Sequence, residues 1–118
     1  MGRSKYKVAP SDQRRADGRT FGSKAEKDYY LELKAGREAG IYHEVVCQPK
    51  VHLVEGYNVV WDFLVVPVVA APFYVDVKGV ETAMFKRHKK MWLAHGWLDL
   101  HIVKRSGRKF TTTEVVSP

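Results

Sequence analysis

Cysteine is the scarcest chemistry-bearing residue of this 118-residue chain, present once, at Cys47. That excludes an intramolecular disulfide and any zinc site built from several thiolates, and it points to a reducing compartment. Long apolar runs are also missing. The longest, Phe63 to Val75, contains Pro67 and Pro72 and falls short of the roughly 20 residues that a membrane-spanning helix needs. Arg3, Lys5 and Lys7 are not followed by the apolar stretch of a secretory signal, so the expectation is a soluble cytoplasmic protein with no membrane partner. No internal repeat is visible. What is present, 45% hydrophobic and 12% aromatic residues, suffices for one compact core and excludes both wholesale disorder and a two-domain enzyme.

Acidic residues are the minority charge, 13 against 20 Lys and Arg, for a net +7. Such an excess is the electrostatic footprint of a protein that meets a polyanion. The distribution says more than the sum. Seven basic and two acidic residues precede Ala25, five basic and nine acidic residues lie between Ala25 and Phe85, and eight basic residues and one acidic follow from Lys86 to Lys109. Two basic blocks flank an acidic middle. A protein that only coats a phosphate backbone has little use for carboxylates between its basic segments, whereas one that holds a divalent cation against a phosphate needs both. The alternative is that these runs are merely solvated faces.

The pattern along the chain predicts three parts. Residues 1–22 read as a basic flexible arm, 23–105 as the folded domain and 106–118 as a polar tail without clear structure. Ser23-Lys24-Ala25-Glu26 fits a capping box, and Tyr29, Tyr30, Leu33 and Gly36 recur at helical spacing up to Gly40. β-rich stretches follow at 44–47, 51–55, 57–66 and 73–78. A second helix is expected over 82–95, with Met84, His88, Met91 and His95 on one stripe beside Phe85 and Trp92, and a last strand over 98–103. The order is written α-β-β-β-α-β, an α/β (α+β) fold with a central mixed sheet flanked by helices.

The stretch that carries chemistry is Phe73-Tyr74-Val75-Asp76-Val77-Lys78-Gly79. Residues two apart on a strand share a face, so Asp76 and Lys78 are presented as a pair. Asp62 lies in an apolar run, Val59 to Val65, where burying an unpartnered carboxylate is costly. If the two strands pair, Asp62 and Asp76 converge on one hard cation such as Mg²⁺, which takes a few carboxylate oxygens and keeps water and substrate phosphate for its other positions. Glu26, in the first turn of the first helix, is a third carboxylate, although a capping box also accounts for it. Lys78 suits phosphodiester hydrolysis, where a fixed ammonium orients water and meets the charge of the transition state.

Glu26, then Asp62, then Asp76-Val77-Lys78 at a strand end resembles the PD-(D/E)xK nuclease superfamily. The surroundings, Phe21 to Glu26, Gln48-Pro49-Lys50 and Asp76 to Gly79 followed by Thr82 and a Lys-rich helix, look like a small phage-encoded branch of it that is similar to archaeal-type Holliday junction resolvases. The resemblance spans about residues 21–104. It implies a restriction-endonuclease-like core, a homodimer in the host bacterial cytoplasm, and an endonuclease that uses Mg²⁺, with Mn²⁺ as a substitute, to place paired nicks in branched DNA. It further implies Asp62, Asp76 and the Val77 carbonyl as metal ligands, Glu26 at or near the metal, and Lys78 as the catalytic lysine. Trp61 stands where the superfamily has proline, and Asp76 where it often has glutamate.

Other readings stay open at this point. Asp62 also fits a strand-end residue that accepts backbone bonds, Asp76 and Lys78 fit a surface ion pair, and Gln48-Pro49 fits either a site residue or a strand break. Among His43, His52, His88, His95 and His101 no pair has a metal-ligand spacing, so packing or phosphate contact is expected of them. Trp61, Trp92 and Trp97 read as core or dimer contacts. Arg14, Arg15, Arg19, Lys24, Lys86, Arg87, Lys89 and Lys90 are the candidate DNA contacts, which position a backbone without reading sequence. A nicking or restriction-type endonuclease on linear duplex, and a non-catalytic nucleic-acid-binding module, are the competing functions.

Overall fold

In the computed structural model, residues 8–118 are described; the arm's first seven residues, with Arg3, Lys5 and Lys7, lie outside them. A 3₁₀ turn at Ser11–Arg14 leads into a small hairpin of β1 (Arg15–Ala16) and β2 (Arg19–Thr20). Helix α1 (Lys24–Glu38) follows, then β3 (Tyr42–Cys47), the hairpin of β4 (Lys50–Val54) and β5 (Tyr57–Val60), β6 (Phe63–Pro67), β7 (Phe73–Val77), α2 (Ala83–His95), β8 (Leu100–Ser106) and β9 (Lys109–Val116). The fold is α+β, with a five-stranded mixed sheet in the order β3-β6-β7-β8-β9 and the β4–β5 hairpin standing apart. Only β7 and β8 are parallel, joined by the α2 crossover. Among the described residues, no helix is long and apolar enough to cross a membrane.

Both faces of the sheet are covered, which explains why β7 buries Tyr74, Val75 and Asp76 in succession rather than alternately. Tyr74, Leu100 and Ile102 face one core with Trp61, Phe85 and Trp92, where Trp92 meets Trp61 and Tyr74 edge to face at 5.7 and 5.2 Å. Phe63, Val65, Val75 and Val103 face the other with Phe21 and Leu33 of α1. Helix α1 starts where the capping signal places it: Ser23 Oγ accepts from the Glu26 N–H at 3.0 Å. Gly36 lets the chain turn back closely, for a Cβ there would sit 2.5 Å from the Tyr42 ring.

Five expectations need correction. The order α-β-β-β-α-β has too few strands: five lie between α1 and α2, because the β4–β5 hairpin stands apart from the main sheet, and a pair each precedes α1 and follows α2. The arm is structured from Ser11: its Asp17-Gly18 turn, both residues at positive φ, closes the β1–β2 hairpin. Asp17 is tied to α1 by Tyr30 Oη at 2.6 Å and Lys34 Nζ at 3.0 Å, partners that local polarity does not reveal. The tail is not irregular either, since residues 109–116 form the edge strand β9, turned at Gly107 and paired with β8. It reads as polar because Val116 is its one buried residue. The stretch 57–66 is two strands, broken at Trp61-Asp62 where the chain leaves the hairpin and enters the main sheet. On α2 the buried residues are Phe85 and Trp92, with His88 beside them, while Met84 and His95 of the expected stripe are exposed.

Candidate active site

The pairing of β6 with β7, Phe63 opposite Val75, puts Asp62 at the entry of β6 beside Asp76 near the end of β7. Backbone geometry locks the two together. The Asp62 N–H donates to the Val75 carbonyl at 3.1 Å and to Asp76 Oδ1 at 3.2 Å, and the Val77 N–H donates to Asp62 Oδ2 at 2.7 Å. Glu26 comes from the opposite side, out of the first turn of α1, and is 7% exposed; Asp76 is 3% exposed. Glu26 and Asp62 lie close enough for each to shift the other's titration. Gly22 and the Gln48 side chain lie beside Glu26 and favour its ionised form.

Electrostatics explains why these groups are protonated so readily. Burial, then the neighbouring Glu26 charge, pushes Asp62 up to about 7. Burial, then the Asp62 charge, does the same for Asp76, against the opposing pull of Lys78. Glu26 is raised as well, chiefly by burial. Lys78 Nζ lies 3.0 Å from Asp76 Oδ2 but off the direction of a hydrogen bond, so the contact is a charge pair and Oδ2 has no donor. Glu26 Oε2 is likewise buried without one. The Lys78 ammonium is also held 4.6 Å above the Phe85 ring. Gly22, Ser23, Glu26, Asp62, Val77, Lys78 and Gly79 line an open cleft of about 620 Å³.

Among the described residues, no three His, Cys, Asp or Glu side chains already converge on one ion position. Three neighbouring carboxylates, two of them buried, nevertheless form the all-oxygen donor set that suits a hard cation. As a donor set the three carboxylates fit Mg²⁺.

Gln48, left open by the sequence, belongs to this cluster. It takes φ +51°, a conformation unfavourable for a side-chain-bearing residue, and its N–H donates to the Asp62 carbonyl at 2.8 Å. The break at Gln48-Pro49 thus brings Gln48 beside Asp62, which leaves both readings of it compatible with the structure. Gln48→Gly is expected to leave thermal stability unchanged or about 1 kcal/mol higher while weakening whatever reaction Glu26 serves. Thermal unfolding alongside an activity assay checks this.

The candidate DNA contacts do not form one uniform surface. Arg15, Arg19, Lys24, Lys86, Arg87 and Lys90 are exposed. Arg14 is structural, donating to the Phe21 carbonyl at 2.8 Å. Lys89 is spent on Glu81 and Glu114, at 2.6 and 2.7 Å. The histidines are in packing roles where the structure defines them: His88 Nδ1 lies 2.8 Å from Tyr57 Oη, and His101 stacks on Phe73 at 4.2 Å. Trp61 and Trp92 are core, and Trp97 is exposed.

Fold and site together define an α+β protein with a buried carboxylate and lysine cluster at one end of its central strands. The family model described as "Protein of unknown function (DUF1064)" matches residues 3–111, and the chain belongs to that family. No curated protein and no solved structure matches it.

Proposed function

We propose that the chain is a Mg²⁺-dependent, structure-selective endodeoxyribonuclease with a restriction-endonuclease-like core, which as a homodimer resolves four-way DNA junctions. The observation that carries this reading is the cluster of Glu26, Asp62 and Asp76, two of them buried and tied together through the backbone of β6 and β7, with the Lys78 ammonium 3.0 Å from Asp76 Oδ2. A pure binding module has no use for that costly arrangement. Asp62, Asp76, Glu26 and the Val77 carbonyl are the groups that would hold the ion. Bound Mg²⁺, or Mn²⁺ in its place, supplies Lewis acidity toward the phosphoryl oxygen and a more acidic water.

The chain's own residues do the rest. Asp76 and the Phe85 ring fix the Lys78 ammonium at the cleft, where it orients the attacking water and meets the charge growing on the phosphoryl oxygens. Gln48 and Gly22 flank Glu26 and favour its ionised form. Paired cuts follow from symmetry, since a chain with one such site makes two equivalent incisions as a two-fold dimer.

Four-way junction, flap and linear duplex DNA incubated with Mg²⁺ or with EDTA test the proposal. Paired symmetric incisions in the junction, absent in EDTA, are expected. Equal cutting of linear duplex would replace branch selectivity with a nicking or restriction-type activity, and no metal-dependent cleavage of any substrate would overturn the nuclease reading.

A further inference from the structure

A second cavity, of about 220 Å³, adjoins the carboxylate cleft and shares Ser23, Val77, Lys78 and Gly79 with it; its remaining lining is Ala25, Lys104 and Arg105. The two cavities meet at these shared residues, one on the carboxylate side and the other toward the outer half of β8. Their charge differs in sign. One holds Glu26 and Asp62, whereas the other is lined by Lys78, Lys104 and Arg105 with no carboxylate.

Neither Lys104 nor Arg105 is fully engaged. Lys104 Nζ has Glu81 at 3.8 Å, a loose contact, and its side chain is 41% exposed. Arg105 gives Nη2 to Asp28 at 2.8 Å and Nε to the Gly107 carbonyl at 3.0 Å, which fixes the guanidinium and leaves its other donors available. The Lys78 N–H donates to the Val103 carbonyl at 2.9 Å, so the backbone that carries the two cations is bonded directly to the backbone of the catalytic lysine.

We propose that Lys104 and Arg105 form a subsite for the DNA phosphate next to the one that is cleaved. The inference rests on the nuclease reading and adds to it where the backbone runs: along β8, rather than only along the lysines of α2. A phosphate pinned there, beside the residue that carries Lys78, sets the register of the scissile linkage over the carboxylates.

The test is equilibrium binding of junction and duplex DNA in EDTA across a salt series, for wild type, Lys104→Ala and Lys104→Ala/Arg105→Ala, with thermal unfolding of each. The double variant is expected to bind roughly tenfold more weakly and to lose about 0.9 from the slope of log K against log salt, the signature of one lost phosphate contact. Lys104→Ala, which breaks only the loose Glu81 contact, is expected to show part of this at wild-type stability. A wild type that binds DNA and a double variant with an unchanged slope would overturn the subsite alone. A wild type without salt-dependent DNA binding would overturn the subsite together with the nuclease reading.

Discussion

Asp76→Asn is expected to abolish Mg²⁺-dependent cleavage, by roughly 10³-fold or more, and to make the metal-free protein more stable at pH 8. The two effects have one cause. Asp76 is 3% exposed, lies beside Asp62, and has an oxygen without a donor. Its ionised form is costly until a cation arrives, and an amide of the same shape removes that cost while keeping an oxygen to accept the Asp62 N–H. The loss of the Lys78 contact offsets part of the gain, because the lysine side chain is 30% exposed and recovers hydration. A net gain on the order of 1–3 kcal/mol, seen as a melting temperature several degrees higher, would accompany lost activity. Circular-dichroism melting of both proteins in EDTA, next to a cleavage assay, reads both quantities. A variant that is both inactive and destabilised at pH 8 would mean that Asp76 is a structural carboxylate.

The second large effect is a stability profile that slopes the opposite way to that of most proteins. Asp62 and Asp76 are raised to about 7 in the folded chain from the ordinary 3.8. Between about pH 4 and pH 7 the folded state therefore binds protons that the unfolded state has released. Stability is fully present below the unfolded value and is lost as pH rises through the folded one, by a few kcal/mol in all. A hard cation reverses this by taking the place of the protons. Mg²⁺ is expected to raise the melting temperature strongly at pH 8 and little at pH 5.5, by about 2.7 kcal/mol at a hundredfold excess over its dissociation constant. Melts at the two pH values, with Mg²⁺ and with EDTA, check the prediction. Equal stabilisation at both would place the effect outside the carboxylates.

The candidate site was more legible in the sequence than the outline of the fold. Asp62 within an apolar run and Asp76 two residues before Lys78 are local patterns, and the pairing that joins them, β6 with β7, is between strands neighbouring in sequence. Ser23 and Glu26 announce the start of α1 in the same local way. The arm and the tail were misread because their order comes from distant partners. Asp17 is held by Tyr30 and Lys34 of α1, and β9 is held by its ladder with β8, so neither needs an apolar face of its own. Gln48 is ambiguous because nothing local shows that a turn at positive φ brings it beside Asp62. Lys89 looked like a DNA contact because nothing in the spacing reveals Glu81 and Glu114 across the fold.

Direct cation binding tests the central claim, that Glu26, Asp62 and Asp76 form a site for a hard divalent ion. The measurement is a titration of Mn²⁺ into the metal-free protein at pH 8, followed by electron paramagnetic resonance of the free ion, for wild type and for Asp76→Asn. Saturable binding in the wild type that is lost in the folded variant is the predicted result. Absence of binding in the wild type, or binding that survives Asp76→Asn unchanged, would contradict it.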